Sequence, residues 1–69
     1  MKVFVYTRRG ILYVECSPQD SMQDLRERVL LLQSSAAGSS LEYCGEEVDY
    51  DKTLADYNIL RTGYVLKWV

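Results

Sequence analysis

The chain has no histidine and only two cysteines, and these absences restrict the chemistry that it can perform. Cys16 and Cys44 cannot complete the four-ligand zinc site that proteins build from cysteine and histidine, and they are too few for a four-cysteine iron–sulfur cluster. The chain has no histidine that could activate a cysteine, serine or threonine as a nucleophile. We therefore expect no metal, no cofactor, no catalytic residue and no enzymatic activity.

The chain also lacks a basic excess and a long apolar run. Its formal net charge is -2, whereas nucleic-acid binding requires a basic stripe, so we expect no nucleic-acid partner. No apolar segment approaches the roughly 20 residues of a membrane span, and residues 1–6 are too short and too regularly alternating for a signal peptide. We therefore expect a cytoplasmic or nuclear location, no membrane contact and two reduced thiols, with Cys16 in the core and Cys44 in a loop.

The first part of the chain has the pattern of a β-hairpin. The 69 residues suffice for one domain, which we place at residues 1–69. Apolar and polar positions alternate in residues 1–7 and 11–16, as they do in strands that bury one face. Gly10 follows two arginines between these strands and predicts a G1 bulge, because glycine accepts a positive φ. The residues expected to face the core are Met1, Val3, Val5, Leu12, Val14 and Cys16.

A helix is predicted to follow the hairpin. Ser21 is a suitable N-cap, and Asp24 three positions later completes a capping box. Apolar residues then recur at helical spacing, which predicts a helix over residues 22–33. Leu30 and Leu31 lie beside this apolar stripe, and either a wide stripe buries them or they contact a partner. The residues of the stripe itself are Met22, Leu25, Val29 and Leu32.

The second half of the chain predicts short elements joined by turns. Small polar residues indicate a loop over 34–40, and residues 41–45 form a short strand that runs into a turn. Val48 begins a brief extended piece before the polar turn at 49–52. Thr53 is expected to cap one helical turn, with Asp56 at its third position.

The last strand, over residues 64–69, can adopt two registers. A slip of one residue exchanges the two faces of a strand, so only one register can be correct. Placing Lys67 inward would bury an unpaired ammonium group, which is costly. We therefore predict that Leu66 and Trp68 face the core and that Lys67 faces solvent.

At several points the sequence resembles the ubiquitin-like family. The most specific segment, residues 53–59, is similar to the family's T-L-S-D-Y-N-I with one change. Similar residues open the first strand, enter the helix and form the third strand: Met1 to Thr7 with Gly10, Pro18 with Asp20 and Ser21, and Leu41 with Tyr43 and Gly45. The resemblance implies an α+β ubiquitin-like β-grasp, with a mixed sheet of four to five strands packed on one helix. Leu54 and Ile59 would then anchor the core, and the Tyr57 hydroxyl would donate to the backbone at 49–52.

The resemblance also implies a partner-binding surface on the sheet. In the family the main recognition patch is apolar, but the matching positions here are Arg8, Glu42, Lys67 and Val69. Because three of these four are charged, modules that insert into an apolar patch should bind weakly. Glu46 lies in an acidic turn where the family carries a lysine, so this turn is either a solvated face or selects a basic partner. Phe4, which faces outward beside Tyr13, completes the predicted site.

Two further differences from the family concern conjugation. The family's modifiers continue past the last strand into a Gly-Gly tail, but the sequence given stops at Val69. None of the positions matching the family's chain-forming lysines is a lysine: Tyr6, Ile11, Arg26, Arg28, Leu32, Glu46 and Arg61. We therefore expect a non-conjugatable, monomeric interaction module within a larger protein, and the alternative is a modifier whose tail is missing from the sequence given.

The expected partner is a protein: a component of the ubiquitin pathway or the proteasome, or another domain of the parent protein. A domain of the Ras-association type is less well supported, because it would need basic residues in the second strand, and residues 11–16 contain none.

Overall fold

A computed structural model of the chain describes residues 1–32 and 40–69. These residues form an α+β fold of the β-grasp type, in which one helix packs on a mixed five-stranded sheet with the strand order β2-β1-β5-β3-β4. The elements, in chain order, are β1 Lys2–Thr7, β2 Gly10–Glu15, α1 Met22–Leu32, β3 Leu41–Tyr43, β4 Glu46–Glu47, a 3-10 helix Ala55–Tyr57 and β5 Val65–Trp68. The predicted fold class is therefore confirmed, and the predicted loop over 34–40 lies outside the described residues except for Ser40.

The hairpin forms at the predicted place but without the predicted bulge. β1 and β2 pair without interruption from Lys2 opposite Glu15 to Thr7 opposite Gly10. Gly10 has a φ of 121°, in the region that favours glycine. The loop therefore contains only Arg8 and Arg9.

The central strands pair in parallel, which joins the two ends of the chain. Phe4 lies opposite Val65 and Tyr6 opposite Lys67, and β3 adds to the other side of β5 in antiparallel orientation. In this register Leu66 is 1% exposed and Trp68 is 5% exposed, while Lys67 faces solvent. The predicted register of the last strand is confirmed.

The core lies between the sheet and α1 and contains nearly all of the predicted residues. Leu54 and Ile59 are fully buried on either side of the 3-10 helix, as predicted. Leu32 was expected in the core, but it is 57% exposed, and Leu31 is 84% exposed. Leu31 and Leu32 lie at the end of α1 beside the edge strand β2, and only Leu30 of the three leucines packs against the core. The buried apolar residues are Val3, Val5, Val14, Cys16, Met22, Leu25, Val29, Leu41, Val48, Leu54, Ile59, Leu66 and Trp68.

Both predicted capping boxes are present. At the start of α1, the Asp24 amide donates to Ser21 Oγ at 3.1 Å and the Ser21 amide donates to Asp24 Oδ2 at 3.2 Å. The same reciprocal pair joins Thr53 and Asp56, at 3.2 and 3.0 Å. The box at Ser21 satisfies two backbone donors that a helix start leaves without partners. In the second box the Asp56 amide also donates to the Thr53 carbonyl, at 3.1 Å.

Two local predictions need correction. Tyr57 does bond the turn at 49–52, but its Oη accepts from the Asp49 amide at 2.7 Å instead of donating to a carbonyl. The short strand β4 precedes Val48, which is itself buried and donates its amide to the Leu41 carbonyl at 3.1 Å.

Candidate functional site

The sheet has an outer face, on the side away from the core and α1. Side chains alternate between the two faces of a strand, so this face comprises the residues that lie between the buried ones. We define the outer face as Lys2, Phe4, Tyr6, Ile11, Tyr13, Glu15, Glu42, Val65 and Lys67.

The strand register assembles an apolar patch at the centre of this face. One row of side chains runs across β2, β1 and β5 and consists of Tyr13, Phe4 and Val65. The next row begins with Ile11 and Tyr6. The Phe4 and Tyr13 rings meet edge to face, with centroids 5.2 Å apart and an interplanar angle of 89°, a favoured aromatic geometry. This outer patch remains open to solvent, since the exposed fractions are 49% for Tyr6, 43% for Ile11, 64% for Tyr13 and 43% for Val65.

Charged groups border the outer patch on the β3 side. Lys67 continues the Ile11–Tyr6 row, and Glu42 lies directly opposite it on β3. No ion pair joins Glu42 and Lys67 in the described part of the chain. Both charges therefore remain available to a partner, with the apolar rows beside them.

The surface is shallow near this border. A depression of about 190 Å³ lies among Tyr6, Glu42, Val65 and Lys67. Small-molecule sites usually occupy roughly 300–1,000 Å³ of enclosed space. The shape fits contact with another macromolecule better than enclosure of a ligand.

The structure brings three of the predicted site residues together and places the others around them. Phe4, Glu42 and Lys67 lie on the outer face. Continuing the β1–β5 register past Tyr6 and Lys67 places Arg8 and Val69 at the same end of the sheet, and Val69 is 51% exposed. Glu46 lies at the opposite edge, on β4, where it pairs with Tyr43.

The sequence prediction missed the apolar character of this surface. Tyr6, Ile11 and Val65 were not proposed as site residues, and the face was predicted to be a charged version of the family's patch. The alternation in residues 1–7 and 11–16 already places Tyr6 and Ile11 on the outward side. The sequence did not show that Tyr6 and Ile11 lie beside Val65. That neighbourhood depends on the register across β1, β2 and β5, and the pairing of β1 with β5 joins distant segments of the chain.

A separate polar cluster joins α1 to β2. Arg28 Nη1 donates to Asp20 Oδ2 at 2.6 Å and to the Glu15 carbonyl at 3.3 Å. The hydrogen bond from Arg28, with a second from the Ser17 amide, lowers the pKa of Asp20. Since these groups bond one another, their role is to hold the helix against the hairpin.

The two cysteines lie in different environments. Cys16 is 5% exposed in the core, and burial raises the pKa of its thiol. Cys44 is exposed in the turn after β3, with a φ of 55°. Within residues 1–32 and 40–69, no group of three or more potential metal-ligating side chains is found.

A scan against protein-family models finds no match to this chain, and a search of curated proteins finds no significant relative. Of the helices that the structure describes, none is long and apolar enough to cross a membrane.

Proposed function

We propose that this chain is a ubiquitin-like protein-interaction module that binds a protein partner through the outer face of its sheet. The observation that carries the proposal is the outer patch: Phe4, Tyr6, Ile11, Tyr13 and Val65 form contiguous rows and remain partly or largely exposed. Antiparallel strands that face water usually carry polar residues on that side. A contiguous apolar surface with a polar border is typical of protein-binding sites.

Support for the ubiquitin-like part of the proposal comes from the segment at 53–59. Its Thr53–Asp56 capping box, its buried Leu54 and Ile59, and the left-handed Asn58 with a φ of 61° give five of the seven residues in the segment a structural reason. The element order, with a hairpin, one helix and a last strand that pairs with the first, agrees with the fold that the resemblance implies.

The chemistry of the outer face suggests what the partner presents. Aromatic and β-branched residues at the centre favour an apolar or aromatic side chain as the anchor, because such residues carry most of the binding energy at interfaces. Lys67 and Glu42 lie side by side at the border, so the partner should place an acidic group near Lys67 and a basic group near Glu42. Charges of both signs would fix the orientation of the partner on an otherwise apolar surface.

The test is affinity capture with the chain itself, followed by quantitative mass spectrometry of the bound proteins. The variants Ile11→Asp and Val65→Asp place a charge in the outer patch and should reduce a specific partner at least tenfold. Leu60→Asp is the matched control, because Leu60 is 59% exposed but lies outside the outer face. Circular dichroism must show that all three variants are folded.

Two results would contradict the proposal. Partners retained equally by all variants would mean that the outer patch is not the binding surface. A partner lost with Leu60→Asp but retained with Ile11→Asp would place the site on the loop that contains Leu60.

A further inference from the structure

Strand β2 is at the edge of the described sheet, and its outward backbone groups have few partners among residues 1–32 and 40–69. The Met1 amino group donates to the Cys16 carbonyl and the Cys16 amide donates to the Met1 carbonyl, both at 2.9 Å. In an antiparallel pair the direction of these groups alternates along the strand. The backbone of Ile11, Tyr13 and Glu15 therefore faces away from β1, and the one bond that it forms to a described residue is from Arg28 to the Glu15 carbonyl.

This edge lacks most of the features that prevent strands from pairing between molecules. Proteins protect open edges with proline, bulges, very short strands or charged side chains. β2 has six residues and no proline, and its register with β1 contains no bulge. Ile11 and Tyr13, two of its outward residues, are apolar and largely accessible, so the edge can accept another strand.

The charges at the two ends of β2 point to a second copy of this chain as that strand. Arg9 precedes the strand and forms no ion pair with any described residue. Glu15 ends it, with a side chain 72% exposed and one contact, at 3.8 Å, to the Met1 amino group. We propose that two copies associate through their β2 edges, antiparallel, so that Arg9 of each copy lies opposite Glu15 of the other.

The same register pairs the apolar residues. With Arg9 opposite Glu15, Ile11 of one copy lies opposite Tyr13 of the other, and Leu12 lies opposite itself at the two-fold axis. Ile11 and Tyr13 are residues whose backbone groups face outward, as a hydrogen-bonded pair requires. Aromatic and β-branched residues that face each other across strands are a favourable pair. A single register therefore pairs the opposite charges, places the apolar side chains opposite each other and allows the outward backbone groups to form hydrogen bonds.

The exposed end of α1 fits this arrangement. Leu31 and Leu32 line a groove of about 310 Å³ beside β2, together with Tyr13 and Arg28. The two-fold axis of antiparallel edge pairing is perpendicular to the sheet, so both helices lie on the same side of the joined sheets. The groove lies beside Tyr13 and Glu15, which in this register pair with Ile11 and Arg9 of the other copy, so Leu31 and Leu32 of each copy lie near the start of the other copy's β2.

The dimer should be weak and dependent on concentration. One short strand and two leucines from each copy bury less surface than the about 1,200–2,000 Å² of a stable complex. The association departs from the monomer expected from the sequence. It shares Ile11 and Tyr13 with the outer patch, but it uses their backbone groups at the β2 edge, whereas partner binding uses the outer face.

Sedimentation equilibrium across micromolar to millimolar concentrations tests the proposal. The weight-average mass should rise above the 8.0 kDa of one chain as the concentration increases. Arg9→Glu and Glu15→Arg should each weaken association roughly tenfold, because each replaces two opposite-charge pairs with two like-charge pairs. Arg61→Glu is the matched control for Arg9→Glu, since it makes the same charge change at an exposed residue outside β2.

The decisive sample is an equimolar mixture of the two single variants. In a mixed dimer both charge pairs are again opposite, so the mixture should associate about as strongly as the unmodified chain. A constant mass of one chain up to millimolar concentration would overturn the proposal and leave the edge to an extended segment of another protein. Equal weakening by Arg61→Glu, or a mixture no stronger than its components, would overturn it as well.

Discussion

Replacing Leu66 by alanine tests which face of β5 supports the fold. Leu66 is 1% exposed and lies opposite Val5, at the centre of the parallel β1–β5 pair. Its neighbour Val65 points to the outer face and is 43% exposed. A similar truncation of a branched apolar side chain to alanine, by three carbons at Leu66 and two at Val65, can thus be made one residue apart on opposite faces of one strand.

The two substitutions should differ by several kcal/mol. Replacing a buried leucine by alanine costs about 2–5 kcal/mol, because apolar contact is lost and a cavity remains. At about 0.05–0.15 kcal/mol per residue, a domain of 69 residues has a total stability of roughly 3–10 kcal/mol. Leu66→Ala therefore removes a large part of the free energy of unfolding. Val65→Ala should cost less than about 1 kcal/mol, the range of β-propensity at an exposed site.

Urea unfolding measures the difference. With a denaturant slope near 1 kcal/mol/M, as expected for a small domain, a loss of about 3 kcal/mol lowers the midpoint by about 3 M. Trp68 is the single tryptophan and is 5% exposed, so its fluorescence reports on the core two residues from the substitution. Far-UV circular dichroism gives an independent transition. If Val65→Ala lowers the midpoint as much as Leu66→Ala, the assignment of the faces is refuted.

Three further predictions follow from single contacts. Tyr57→Phe should lower the free energy of unfolding by about 1 kcal/mol, because the Asp49 amide loses the hydroxyl that accepts its hydrogen bond. A thiol-alkylating reagent should label exposed Cys44 in the native protein and Cys16 only on unfolding, since burial raises the pKa of the Cys16 thiol. The lowered pKa of Asp20 stabilises the fold above the ordinary aspartate pKa of about 4 and ceases to do so as the pH falls through the lowered value. Asp20→Asn should therefore reduce the acid-induced loss of stability below about pH 4.

Each of these predictions has a result that would contradict it. An unchanged urea midpoint for Tyr57→Phe would mean that water replaces the hydroxyl without cost. Equal alkylation rates for the two thiols, measured by mass spectrometry of the native protein, would contradict the burial of Cys16. For Asp20, the urea midpoint is measured at pH 7 and at pH 3 in both proteins. If the difference between the two midpoints is the same in Asp20→Asn as in the unmodified chain, the hydrogen bond between Asp20 and Arg28 does not contribute to the pH dependence of stability.

Local patterns in the sequence predicted most of the secondary structure, with the exception of β4, which precedes the extended piece predicted at Val48. The alternation around Val3 and Val5 predicted a strand with one buried face because side chains in a strand alternate at every residue. The capping residues Ser21 and Thr53 marked the starts of the helical segments because a cap acts on backbone groups within three positions of itself. The register of the last strand was predicted from Lys67. One register would bury its charge, and burying an unpaired charge is costly in any fold.

The interaction surfaces depended on contacts between distant segments. The helical stripe predicted Leu32 as a core residue, but whether a helix face is buried depends on what lies beneath it, and at the end of α1 Leu32 lies beside the edge strand β2 and is 57% exposed. The outer patch exists because the parallel pairing of β1 with β5 places Val65 beside Phe4. Periodicity and capping act locally, so they predicted most of the elements and the buried face of each long strand. Strand order and register arise from long-range pairing, so the choice of which exposed residues became neighbours depended on the folded structure.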